Sequence, residues 1–173
     1  MRVLSFVVLT LVLAGCATAP AGNGSSGAAS SNTATPTQTQ SFVAALEAKR
    51  GSALTLAERL QVQGLTGTAK VGLNNAQNNF LNKVGAQVGL NGAVISAMFP
   101  EAGKPLSENA AVAKIESSLG KKLTVADQTA VKAATALRNN SLGNLRQGLA
   151  ASIGSRTGMS TDVVLALMPM LGL

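Results

Sequence analysis

The chain has 173 residues, no His, Trp or Tyr, one Cys, and 14 Lys and Arg against 7 Asp and Glu. Without His it lacks the commonest general base and metal ligand, and with four Phe as its only aromatics it has few of the rings on which single-stranded nucleic acids stack. Metal, nucleotide cofactor and nucleic acid are therefore not expected, and one Cys excludes an internal disulfide. The positive balance favours acidic partners such as anionic lipid or acidic glycan.

Met1-Arg2 gives a short positive start, and Val3–Leu13 is an apolar run broken only by Ser5 and Thr10. That run is too short to cross a hydrocarbon core of about 30 Å, which takes ~20 helical residues. It has the length of the apolar region of a secretory signal. Next comes Leu13-Ala14-Gly15-Cys16, which resembles the lipobox of bacterial lipoproteins. The resemblance implies cleavage before Cys16, diacylglycerol and a further fatty acid such as palmitate on that cysteine, and residues 1–15 as signal peptide. Ala17, in place of the Asp that retains lipoproteins in the inner membrane of enteric bacteria, implies the outer membrane, facing the periplasm. Loss of Arg2 with the signal leaves 14 − 1 = 13 basic residues against 7 acidic ones.

Residues 16–40 are small and polar, running through Ala17-Thr18-Ala19-Pro20 to Thr37-Gln38-Thr39-Gln40. Such a stretch buries too little apolar surface to offset its conformational entropy. It is expected to be a disordered tether with a root-mean-square span of about 25–30 Å.

Beyond it the chain repeats itself at an offset of 69, so that 41–100 aligns without a gap on 110–169. Val84-Gly85 meets Ile153-Gly154, Gly89-Leu90 meets Gly158-Met159, and Val94–Pro100 meets Val163–Pro169. Sixteen of the 60 pairs are identical, Gly, Thr and Pro among them, which chance does not explain well. The expected domains are helical repeat 1 (41–100), a connecting loop (101–109) and helical repeat 2 (110–173).

The two copies help to read each other. A short helix, Phe42 to about Arg50 or Ala111 to about Leu119, ends at Gly51 or Gly120 as a left-handed cap. Thr55-x-x-Glu58 reads as a capping box and Thr124-x-x-Asp127 as a looser one. These open second helices running to about Leu65 and Leu137. Third helices follow, striped by Leu73, Phe80, Val84 and Val88 in one copy and Leu142, Leu145, Leu149 and Ile153 in the other. Asn91 and Ser160 cap final short helices that stop before Pro100 and Pro169. No segment alternates like a strand. The expected fold is all-α, a helical bundle from a tandem duplication of a roughly 60-residue, four-helix unit, the halves packed about a pseudo-two-fold axis.

No catalytic constellation emerges, and no enzyme is expected. Glu47 and Glu116 recur in both copies and are the acids that a glycan hydrolase could use across a cleft, but solvated helix positions explain them as well. A polar row, Asn74, Asn75, Asn78 and Asn79, costs helix stability and is a candidate partner surface. At the other end Met170, Leu171 and Leu173 have no core counterpart in the first copy and form a second candidate. The expected function is non-enzymatic: a lipid-anchored envelope module that binds or positions a protein partner, similar in architecture to small helical lipoproteins of secretion and assembly machines. A carrier of a small apolar ligand between the repeats is the alternative.

Overall fold

The computed structural model describes residues 37–173; the expected signal peptide, the lipobox-like Leu13–Cys16 and the expected tether up to residue 36 lie outside the described residues. All regular structure in the described part is helical: α1 (Gln38–Arg50), α2 (Leu56–Val88), α3 (Gly92–Met98), α4 (Glu108–Leu119), α5 (Val125–Thr157), α6 (Thr161–Leu167) and a closing 3-10 turn (Met168–Leu171). None of these helices is long and apolar enough to cross a membrane.

Local chemistry accounts for the ends of the helices. Thr37 caps α1, its hydroxyl accepting from the Gln40 N–H while Gln40 Oε1 accepts from the Thr37 N–H. The first helix therefore starts inside the stretch assigned to the tether, because Thr-x-x-Gln is itself a capping box. Thr55 and Glu58 make the second box, at 3.2 and 2.7 Å. At Thr124 the shorter Asp127 carboxylate instead accepts a hydrogen bond from the Thr124 hydroxyl at 2.7 Å. Asn91 and Ser160 cap α3 and α6 as expected, and Gly51 and Gly120 end α1 and α4 in left-handed conformation.

The largest departure from the sequence reading is in the middle of each half. No break separates a second from a third helix; α2 and α5 each run 33 residues, about 50 Å. Each half thus contributes three helices rather than four. Gly64, Gly67 and Gly72 suggest an interruption, but a helix tolerates single glycines at about 1 kcal/mol each, and no proline or side-chain cap stands there to stop it. The Thr66 and Thr68 hydroxyls bond back to helix carbonyls, at 2.9 and 3.1 Å, rather than capping a new start.

α2 and α5 lie antiparallel. Gln87 bonds Asp127, Gln77 bonds Arg138, and Gly72 faces Leu145, so residue numbers rise along one helix as they fall along the other. Two hydrophobic clusters form at the two ends of this pair. The first joins Phe42 and Leu46 of α1 and Val62 of α2 to Leu149 and Ile153 of α5, Val164 of α6, and Met168, Leu171 and Leu173. The second joins Phe80 and Val84 of α2 and Ile95 of α3 to Ile115 of α4 and Val131 of α5. Each cluster therefore takes one end of each half, an arrangement that is neither a single shared core nor one core per repeat. The stripes read from the sequence are real, but Leu73 serves the first cluster while Phe80, Val84 and Val88 serve the second.

Candidate functional site

Glu47 and Glu116 have a local task. Glu47 Oε1 accepts from the Leu54 N–H at 2.9 Å and from Arg59 Nε at 2.9 Å, tying α1 to the start of α2. Glu116 repeats the arrangement, accepting from the Leu123 N–H at 3.1 Å and Gln128 Nε2 at 3.1 Å, with Lys122 Nζ on its other oxygen at 2.7 Å. The Lys122 hydrogen bond, followed by that from Leu123, holds the Glu116 carboxyl below its ordinary pKa. Each acid fastens the turn of its own half, which explains its recurrence without a shared cleft.

The polar row of α2 divides in two. All four asparagines are exposed, but only Asn75 and Asn79 line a groove between α2 and α5, together with Ala76 and Lys83 from α2 and Leu137 and Ser141 from α5. Leu137 is 52% exposed there. The groove continues toward Ala86, Gln87 and Ala130, and its concavities are open, not enclosed. Gln77, between the asparagines in sequence, turns inward and is buried.

Met170, Leu171 and Leu173 behave differently from their reading as one surface. Leu171 and Leu173 are each 3% exposed and belong to the first cluster; only Met170 faces solvent. The 3-10 turn folds the segment back over α1, so its apolar residues fill a core instead of offering a contact. The aligned residues Glu101–Lys104 hold no apolar side chain larger than that of Ala102, so the alignment gave no sign of this.

The feature least visible in the sequence is the clasp around the connecting loop. Arg138 of α5 is 4% exposed, and all its donors are used. Nε donates to Gln77 Oε1 at 2.7 Å, Nη1 to the Lys104 carbonyl at 2.9 Å, and Nη2 to the carbonyls of Glu101 and Ala102 at 2.6 and 2.9 Å. Gln77 in turn donates to the Phe99 carbonyl at 2.6 Å. Asn139 pairs with both backbone groups of Leu106, at 3.0 and 2.7 Å, and Arg146 holds the Gly103 carbonyl at 2.8 Å. Gly103 is forced: a Cβ there would lie 1.6 Å from the Gly172 carbonyl oxygen. Burial pushes the Arg138 pKa down, and no carboxylate among the described residues pairs with it.

Beside this clasp lies a cleft of about 180 Å³ walled by Met98, Phe99, Pro105 and Leu106 and edged by Lys104, Lys114 and Arg138. Lys114 Nζ sits 5.5 Å from the centre of the Phe99 ring, which meets Phe80 edge-on at 5.3 Å. No three of His, Cys, Asp and Glu gather among the described residues as a metal cluster would. Comparison with protein-family models, with curated proteins and with solved structures finds no match to this chain.

Proposed function

We propose that the protein is a lipid-anchored, non-enzymatic module of the bacterial envelope, built by tandem duplication, that binds a protein partner along the α2–α5 groove. The observation that carries the reading is Leu13-Ala14-Gly15-Cys16 after a run with the length of a signal's apolar region. Lipid on Cys16 holds the chain at a membrane, the outer membrane being favoured by Ala17. Each buried methylene contributes ~0.8 kcal/mol, so two or three acyl chains retain it.

The duplication is supported by helix bounds that recur at the sequence offset: 56–88 becomes 125–157 and 92–98 becomes 161–167, each shifted by 69. A binding role is supported by the groove, where exposed Leu137 sits among Asn75, Asn79 and Lys83. Small side chains such as Ala76 and Ala134 let a partner approach the helix backbones. An apolar stripe flanked by amide and ammonium donors suits an amphipathic helix of a second protein.

Two measurements test the proposal. Growth with an alkynyl palmitate should label the wild-type protein and leave Cys16→Ser unlabelled; labelling of both, or of neither, refutes the anchor. A photo-crosslinking residue in place of Leu137 or Asn79, with Ser118 as control, should capture one protein in cells. Identical capture from all three positions refutes the groove.

A further inference from the structure

The two ends of the bundle are built from matching elements, so each is an internal control for the other. At the first cluster the gap between α6 and α1 is closed by Met168, Leu171 and Leu173. At the second cluster the matching gap lies between α3 and α4. The counterparts of Leu171 and Leu173, shifted by 69, are Ala102 and Lys104, and they leave the cleft open. Charge differs in the same direction. Lys114 corresponds to Ala45, so the matching architecture does not require a cation there, whereas Arg138, opposite Ala69, also serves the clasp.

We propose that this cleft binds a small organic monoanion with an apolar body, a short-chain or aromatic carboxylate. Its charge lies at Lys114 and Lys104 and its body lies against Phe99, Pro105 and Leu106. Three cations and one anion, Glu101, edge or line the cleft, a local balance of 3 − 1 = +2. Arg138 donates only to neutral oxygens, so its charge is hydrogen-bonded but not cancelled. A charge removed from water acts over longer distances than an exposed one. Lys114 is placed by the Phe99 ring and has no carboxylate partner among the described residues. Lys104 is paired with Glu101 at 2.9 Å, but both are exposed and the pair is easily exchanged.

Size and polarity narrow the ligand. A volume of 180 Å³ equals that of about six molecules of liquid water, which suits a ligand of roughly six to ten heavy atoms and falls below the usual range for drug-sized ligands. Largely apolar walls disfavour a fully hydrated ion such as inorganic phosphate. The cleft shares only Arg138 with the α2–α5 groove, and its test alters neither Arg138 nor any other residue of that groove.

Saturation-transfer NMR on the full chain, with benzoate as probe and benzamide as its neutral isostere, reads the binding directly. Benzoate should bind saturably, benzamide about tenfold more weakly or worse, and added salt should weaken benzoate alone. The double variant Lys104→Gln, Lys114→Gln alters two exposed side chains and should weaken benzoate by about three- to tenfold. The control Lys49→Gln, Lys121→Gln removes the same charge elsewhere and should leave it unchanged; circular dichroism establishes that both variants fold. Absence of saturable benzoate binding, equal binding of benzamide, or equal loss in the two double variants would overturn the proposal.

Discussion

Four glycines in the long helices respond to one extra methyl group in opposite ways. Ideal Cβ atoms at Gly64 and Gly67 meet nothing within 4 Å, whereas at Gly85 and Gly154 they fall 2.9 and 2.7 Å from the carbonyl oxygens of Leu90 and Met159. Those oxygens cannot simply retreat. The Leu90 and Met159 N–H groups bond back to the Gly85 and Gly154 carbonyls at 3.1 and 3.2 Å, closing the helix ends over the left-handed Gly89 and Gly158. Alanine in an open helix interior is worth about 1 kcal/mol over glycine, so Gly64→Ala and Gly67→Ala should stabilise by roughly 0.5–1 kcal/mol each. At Gly154 the same gain is set against an overpacking cost of ~1–3 kcal/mol. A net loss of up to about 2 kcal/mol follows at Gly154, with a smaller loss at Gly85. Urea unfolding followed by far-UV circular dichroism separates the cases through the midpoint at constant slope. If Gly154→Ala proved as stable as Gly64→Ala, the close approach argued for the helix end would be wrong.

Other perturbations probe other parts of the molecule. Arg138→Met keeps a long side chain but abandons the carbonyls of the 101–106 loop; it should cost about 2–4 kcal/mol and speed proteolysis within that loop. Stability should fall as pH drops through the carboxylate range. Glu58, Glu116 and Asp127 all have pKa values below their ordinary ones, held there first by bonds from the Thr55 N–H, Lys122 and Gln87 respectively. The stability they contribute is complete above their unfolded values of about 4 and is lost on acidification through the lower folded values. The urea midpoint should therefore decline below about pH 4.5, and less steeply in Glu116→Gln; a decline unaltered in that variant counts against the turn-fastening role. Thr55→Ala should lower stability by about 1 kcal/mol through loss of the cap acceptor, read as a lower midpoint with the same slope. Replacing Asn75 and Asn79 together by Ala should raise stability by roughly 1 kcal/mol, since Asn is the poorer helix former, while reducing partner capture at Leu137; capture unaffected by the change would detach the asparagines from the proposed interface.

The helical class and most helix ends were legible because they depend on neighbours in sequence. Thr55 with Glu58, Asn91, Gly51 and Pro100 act within a few residues, and matching positions in the other half supported each assignment. The continuity of α2 was not legible, since local propensity counts Gly64, Gly67 and four asparagines against a helix. What sustains it there is packing along an antiparallel partner, with Gly72 admitting Leu145 at close range. The clasp was equally hidden. Arg138, Gln77 and the 101–106 loop are far apart in sequence, and Arg138 has no counterpart in the other half to draw attention to it. Its one available signal was asymmetry, an arginine aligned with Ala69, and that signal is weak because most aligned positions of the two long helices also differ. The burial of Leu171 and Leu173 was hidden for the same reason, because the aligned residues Ala102 and Lys104 gave no precedent for an apolar segment folding back onto α1.

Phe42 and Leu46 share their cluster with Val164, Met168 and Leu171, residues at the opposite end of the described chain. Their burial must await contacts of the longest sequence separation in the molecule, which slows folding through the entropy of loop closure. A polypeptide emerging in order from a ribosome, or threading a narrow export channel, could not complete this cluster until its distal helices had followed. Residues 80–134 have a cluster of their own, assembled from segments much closer in sequence. Contact order therefore favours assembly of the central portion first and closure of the terminal elements last.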